Sequence, residues 1–106
     1  MCGIAGIIWR GDEKRLELLK SVIPVLGNRG PDEAGLYRGD KVGLVHTRLS
    51  IIDHAGGKQP FNLGPDQPIL IFNGEIFNYR ELRKQLEKAG VRFVTNSDTE
   101  VLYALL

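Results

Sequence analysis

The sequence predicts an α+β domain, and two patterns carry that reading. Short apolar runs bordered by glycine or turn residues read as strands. Between and after them lie segments whose apolar residues recur at helical spacing. The count is about six strands and three helices over 106 residues, a length that fits one domain or a piece of one. Apolar residues make up 42% of the chain, enough for a packed core, and the charged fraction of 25% is ordinary for a soluble globular protein.

Ile4 to Ile8 is an apolar run that predicts a buried strand, with Gly3 and Gly6 permitting close backbone approach. Asp12 to Leu26 carries Leu16, Leu19, Ile23 and Leu26 at helical spacing, the pattern of an amphipathic helix packed on a sheet. Pro24 falls inside it and predicts a kinked last turn. Asn28-Arg29-Gly30-Pro31-Asp32 is a loop by composition. Ala34–Arg38 and Lys41–Thr47 read as two strands joined at Gly39-Asp40, where a leading glycine suits a type II′ hairpin.

His54 to Asp66 holds three glycines and two prolines and reads as a long surface loop. Pro68 to Phe72 is apolar on both faces, as expected of a central strand. Asn78 with Glu81 predicts a capping box, a helix with Leu82, Leu86 and Ala89 as its buried stripe, and a stop at Gly90. Val91–Val94 reads as a short strand. Ser97 with Glu100 predicts a second capping box opening a helix through Val101, Leu102 and Leu105. The chain stops inside that helix on Ala104-Leu105-Leu106 with no stop signal, which reads as the N-terminal portion of a longer domain. No internal repeat or low-complexity segment is present.

Charge excludes some functions. The net charge is +1, from 14 basic and 13 acidic side chains, so no nucleic-acid or membrane-binding face is announced. Arg80, Arg83 and Lys84 read as the wet face of a helix. No apolar run approaches the roughly 20 residues that span a bilayer, and no signal peptide is visible. A single cysteine rules out an internal disulfide and suits a reducing compartment, which predicts a cytoplasmic protein.

Cys2 carries the strongest chemical signal. A lone cysteine is by default a small buried hydrophobe, but only Met1 precedes this one. Removal of the initiator would leave a thiol and a free α-amino group on one residue. That amine has a pKa of about 7.7–8.0 and is partly neutral near pH 7, so it can accept the thiol proton directly or through one water. The alternative base is a histidine, and His46 and His54 are the two candidates; packing or surface placement accounts for either equally well. Cys2, His46 and His54 lack a regular metal-ligand spacing, and no metal site is expected.

Asn73-Gly74-Glu75 follows directly on the apolar run at 68–72. Asn-Gly is a common turn pair. An asparagine NH₂ beside a glycine N–H can also point at a single oxyanion. Arg48 ends an apolar stretch and would clamp a carboxylate in two-pronged fashion if it faced a cleft. Asp98 is explained equally by its place in the first turn of a helix, where negative charge is favoured.

Taken together, these segments resemble a known family. Met1-Cys2-Gly3-Ile4-Ala5-Gly6-Ile7, Arg29-Gly30-Pro31-Asp32, His46-Thr47-Arg48-Leu49-Ser50-Ile51-Ile52-Asp53, Asn73-Gly74-Glu75-Ile76-Phe77-Asn78 and Ser97-Asp98-Thr99-Glu100 are similar, in order, to motifs of the class-2 glutamine amidotransferases. These belong to the N-terminal-nucleophile hydrolases. Relatives that make glucosamine phosphate or phosphoribosylamine usually carry an aromatic residue where Leu49 stands here. Leu49 followed by Ser-Ile-Ile-Asp resembles the asparagine-synthetase branch.

The resemblance implies a four-layer αββα sandwich, of which this chain would supply part of the two antiparallel sheets and about three helices. It implies that Cys2 is the nucleophile, forming a glutamyl thioester, and that Asn73 and Gly74 make the oxyanion hole. Arg48 would bind the α-carboxylate of L-glutamine, Glu75 and Asp98 would lie at its α-amino end, and Leu49, Ser50, Ile51 and Ile52 would line the pocket. The released ammonia would pass to a downstream synthetase domain of the same protein that uses ATP and magnesium to activate aspartate. No phosphate-cradling glycine loop of the G-x-x-x-x-G-K type occurs in these residues, so no cofactor is expected on this segment. The full-length protein could form a homodimer. Two other readings stay open: a non-catalytic interaction module of the same fold, or a glutaminase serving an acceptor other than aspartate.

Overall fold

The computed structural model describes residues 2–11, 15–49 and 56–106. In chain order its elements are β1 (Gly3–Ile8), α1 (Arg15–Leu26), β2 (Glu33–Arg38), β3 (Val42–Arg48), α2 (Tyr79–Lys88) and α3 (Asp98–Leu105). The α+β class holds. The three strands form one antiparallel sheet in the order β1-β3-β2.

Register decides which residues share a face. Gly3 pairs with Thr47 and Ile8 with Val42; Glu33 pairs with Arg48 and Arg38 with Gly43. Side chains alternate along a strand, so Ala5, Ile7, Val45 and Thr47 point to one face. There α1 covers them through Leu16 and Leu19, with Ile23 and Leu26 beside. Leu19 and Val45 are almost wholly buried, and each such side chain contributes about 1.5–3 kcal/mol by leaving water. Ile4, Ile8, Leu44, His46, Arg48 and Glu33 belong to the opposite face.

Several sequence-based expectations are corrected. The β2–β3 turn is centred one residue later than Gly39-Asp40: Gly39 N–H donates to Val42 O at 2.8 Å, so Asp40-Lys41 is the loop. Gly39 does not adopt positive φ, which a type II′ turn would require of it. The apolar run 68–72 is not a central strand. Its backbone pairing among the described residues is an isolated bridge between Phe61 and Leu70. An apolar run cannot by itself tell a laddered strand from an extended segment held by side chains, and here side chains hold it. Residues 91–94 likewise form no strand.

The helix ends also depart from expectation. Asn78 is the N-cap of α2 but makes no side-chain capping bond. Ala89 is exposed, and Leu82 and Leu86 are only half buried. The stop is as expected: Gly90 takes a φ of 99°, Val91 N–H reaches Leu86 O and Gly90 N–H reaches Glu87 O, which is a Schellman closure. Arg83 is not simply wet, because it donates to Thr95 O and lies 4.7 Å over the Phe93 ring.

In α3, Ser97 caps the Glu100 N–H at 3.2 Å. Glu100 does not return the bond. Its carboxylate accepts from Val94 N, Thr95 N and Thr95 Oγ1, which satisfies a side chain only 2% exposed. Among the described residues no helix is long and apolar enough to cross a membrane.

The sheet face away from α1 is partly uncovered, with Ile8 76% and Ile4 44% exposed. Exposed apolar surface of this kind drives association. The isolated 106-residue chain is therefore expected to self-associate, with sedimentation showing oligomers that grow with concentration and shrink on Ile4→Thr plus Ile8→Thr. A dilute monomer with a sharp two-state melt would contradict this.

Candidate active site

The site is built where the β1 start, the β3 end and the α3 start converge. Extending the strand alternation by one residue puts Cys2 on the same face as Ile4, the face that carries Arg48 and Glu33. The Cys2 Sγ lies 3.9 Å from Leu49 O. Arg29 Nε donates to the Cys2 carbonyl at 3.4 Å.

One cavity of about 340 Å³ opens there, lined by Cys2, Arg48, Leu49, Asn73, Gly74, Glu75 and Asp98, with Gly57, Gln59, Phe72, Phe77 and Thr99 completing it. Its volume is at the small end of the range for small-molecule pockets. The structure thus brings together seven of the residues singled out from sequence. Ser50, Ile51 and Ile52, together with Met1 and His54, lie outside the described residues.

Arg48 is buried, at 4% exposure. Its Nη1 donates to Glu33 Oε1 at 2.9 Å, across directly opposed positions of β2 and β3. A buried guanidinium without a partner would be costly, and Glu33 supplies one while holding the group against the cavity. The loop before β2 docks on the same residue: Asp32 N–H donates to Arg48 O at 2.8 Å, and Pro31 bridges to Arg48. Gly30 is packed so closely on the Thr47–Arg48 backbone that a Cβ would overlap it. That packing is the structural reason for the glycine in Arg29-Gly30-Pro31-Asp32.

Asp98 sits where the helix-start reading puts it and also lines the cavity. It opens α3, and its Oδ2 also accepts Ile76 N–H at 3.0 Å, which ties the Asn73-Gly74-Glu75 segment to the helix. Gly74 needs no unusual φ but needs room, since a Cβ there would come 2.9 Å from the Phe72 ring.

His46 stands two residues before Arg48 on the same face and is 1% exposed. Its Nε2 is 3.1 Å from Phe72 O. A carbonyl cannot donate, so Nε2 carries the hydrogen and Nδ1 the lone pair. Nδ1 has no hydrogen-bond partner among the described residues. Burial pushes the His46 pKa down, the bond to Phe72 O opposes it, nearby Arg48 pushes it down and Glu33 pushes it up. Its ring is therefore a neutral structural donor.

Sequence reasoning missed Glu33, Gln59, Phe72, Phe77 and Thr99. Glu33 was findable in principle, since the correct turn centre pairs it with Arg48. Gln59 carries no local signal, because its contacts are with Phe72 and Thr99, far along the chain.

Comparison with known proteins identifies the family of the chain. The profile of a family described as "Glutamine amidotransferase domain" matches residues 1–106. The chain is 43% identical over 98% of its length to "Asparagine synthetase [glutamine-hydrolyzing] 1" of Bacillus subtilis (strain 168), covering 17% of that protein. It is 42% identical over 96% of its length to "Asparagine synthetase [glutamine-hydrolyzing] 1" of Arabidopsis thaliana, covering 18%. It is 35% identical over 99% of its length to "Putative asparagine synthetase [glutamine-hydrolyzing] 2" of Methanocaldococcus jannaschii, covering 24%. The chain thus spans less than a quarter of each of these relatives.

The His46 shift fixes the sign of a pH effect. A histidine with a lowered folded pKa binds fewer protons than in the unfolded chain. Stability is therefore full above the ordinary histidine pKa of about 6.5 and is lost as pH falls below it. Urea unfolding at pH 7.5 and 5.5 should show this loss, and His46→Gln should make it smaller.

Proposed function

This chain belongs to the glutamine amidotransferase domain family, and we propose that it hydrolyses glutamine through Cys2. The observation that supports this most is the single cavity shared by Cys2, Arg48, Asn73, Gly74 and Asp98. With Met1 removed, the α-amino group of Cys2 accepts the thiol proton. The sulfur attacks the side-chain amide carbon of glutamine, a C–S bond forms, and the carbonyl oxygen becomes an oxyanion. Asn73 Nδ2 and Gly74 N–H donate to that oxygen. Return of the proton to the amide nitrogen releases ammonia and leaves a glutamyl thioester. Water then hydrolyses the thioester to glutamate and restores the thiol.

A zwitterionic substrate needs a cationic and an anionic clamp. In this reading Arg48 takes the α-carboxylate, and Asp98 with Glu75 takes the α-amino group. Leu49 lines the adjoining wall; the expected pocket residues Ser50, Ile51 and Ile52 lie outside the described residues. The sheet face away from α1 becomes an inner face of a four-layer αββα sandwich, of which these residues supply part. As the family resemblance implies, the ammonia would go to a downstream synthetase domain that uses ATP and magnesium to convert aspartate to asparagine; the relatives' names carry the glutamine hydrolysis and the asparagine synthesis. A cytoplasmic setting keeps the thiol reduced, and the full-length protein would act as a homodimer.

In the full-length protein, Cys2→Ala should abolish glutamate release from glutamine. A diazo-ketone analogue of glutamine should label Cys2 alone, and intact mass should show Met1 gone. Undiminished hydrolysis in Cys2→Ala would refute the reading. Arg48→Lys keeps the charge but loses the two-pronged contact, so KM for glutamine should rise about tenfold or more. An unchanged KM would remove Arg48 from the substrate site.

A further inference from the structure

We propose that His46 and Gln59 are positioning residues that hold the Asn73–Gly74 oxyanion donors in place by clamping the Phe72 peptide. The inference rests on the glutaminase reading above and adds two residues to it. Among the described residues, no backbone partner holds Phe72. Both of its main-chain groups are taken by side chains instead. Its N–H donates to Gln59 Oε1 at 2.5 Å, and its carbonyl accepts from His46 Nε2 at 3.1 Å.

The two clamping side chains are themselves fixed. His46 is buried in the central strand, directly opposite Ile4 and Gly35. The Gln59 carbonyl lies against Gly35, where no Cβ would fit. Gln59 Nε2 donates to Thr99 Oγ1 at 3.3 Å, so its amide is used at both ends. Thr99 follows Asp98, which takes the Ile76 N–H.

The segment is thus pinned at Phe72 by His46 and Gln59 and at Ile76 by Asp98. Asn73, Gly74 and Glu75 form the three-residue span between those anchors, along the wall of the cavity. Oxyanion donors must lie about 2.7–3.1 Å from the developing charge, and a displacement of about 1 Å costs on the order of 100-fold in rate. Where a sheet would fix such a span by its ladder, here two side chains do so.

The test uses the full-length protein with His46→Leu, Gln59→Met and the conservative His46→Gln, which keeps an N–H near the position of Nε2. His46→Leu and Gln59→Met should each lower kcat for glutamine hydrolysis about 10- to 100-fold, with KM within about threefold. His46→Gln should recover most of the loss. Affinity for the γ-semialdehyde of glutamate, whose adduct with Cys2 carries an oxyanion, should fall in parallel with kcat. Alkylation of Cys2 by iodoacetamide needs no oxyanion donors and should keep its wild-type rate.

Unchanged kcat and aldehyde affinity in both variants would overturn the proposal while leaving the glutaminase reading intact. An equal fall in iodoacetamide alkylation would also overturn it, by locating the damage at the nucleophile or in the fold. Persistent hydrolysis by Cys2→Ala would sink the underlying reading and this inference together.

Discussion

β3 is hydrogen-bonded on both sides, and its register decides which side chains can meet. Because alternation along a strand is strict, pairing Glu33 with Arg48 and Ile4 with His46 commits the acidic partner, the arginine and the histidine to one face. The thiol joins them because Cys2 directly precedes β1 (Gly3–Ile8). A slip of one residue would move Arg48 onto the side packed by α1 (Arg15–Leu26), where a guanidinium has no partner. Core and site are therefore not separate problems. Leu16, Leu19 and Val45 hold the register on one face, and the chemistry occupies the other.

Polar groups are buried around the cavity, and their partners explain why the segments are arranged as they are. Arg48 is matched by Glu33, Asp98 by Ile76 N–H, and Glu100 by two amides and the Thr95 hydroxyl. Each would carry a desolvation cost if left alone. The Arg48–Glu33 and Asp98–Ile76 bonds join segments 15 and 22 residues apart, so satisfying them also assembles the cavity wall. The exception is Nδ1 of His46, the side of the ring not used to hold Phe72.

The local signals survived best. The glycine stop at Gly90, the Ser97 cap and the three strands at Gly3–Ile8, Glu33–Arg38 and Val42–Arg48 carry signals within a few residues, and those are visible in sequence. Failures came where another partner in the folded chain displaced the expected one. Glu100 left its expected capping bond for Val94 and Thr95. Residues 68–72 kept their extended form but took Gln59 and His46 as partners instead of strands. Arg83 turned from solvent to Phe93 and Thr95. For residues 68–72 and Arg83 a tertiary contact won over a local preference; for Glu100 three bonds to the preceding loop outweighed one capping bond, worth only about 1 kcal/mol.

By itself the sequence determined the α+β class, the thiol next to the chain start, and the ordered set Arg48, Asn73, Gly74 and Asp98. The class and the thiol follow from residue type and spacing, which are local; the set follows from the resemblance of ordered motifs to a known family. Only the tertiary structure decided that these residues line one cavity, that Glu33 braces Arg48, and that Gln59 and His46 carry the backbone at Phe72. Such pairings join positions 13 to 26 residues apart. Nothing in a linear pattern specifies them until strand register and turn centre are set by packing.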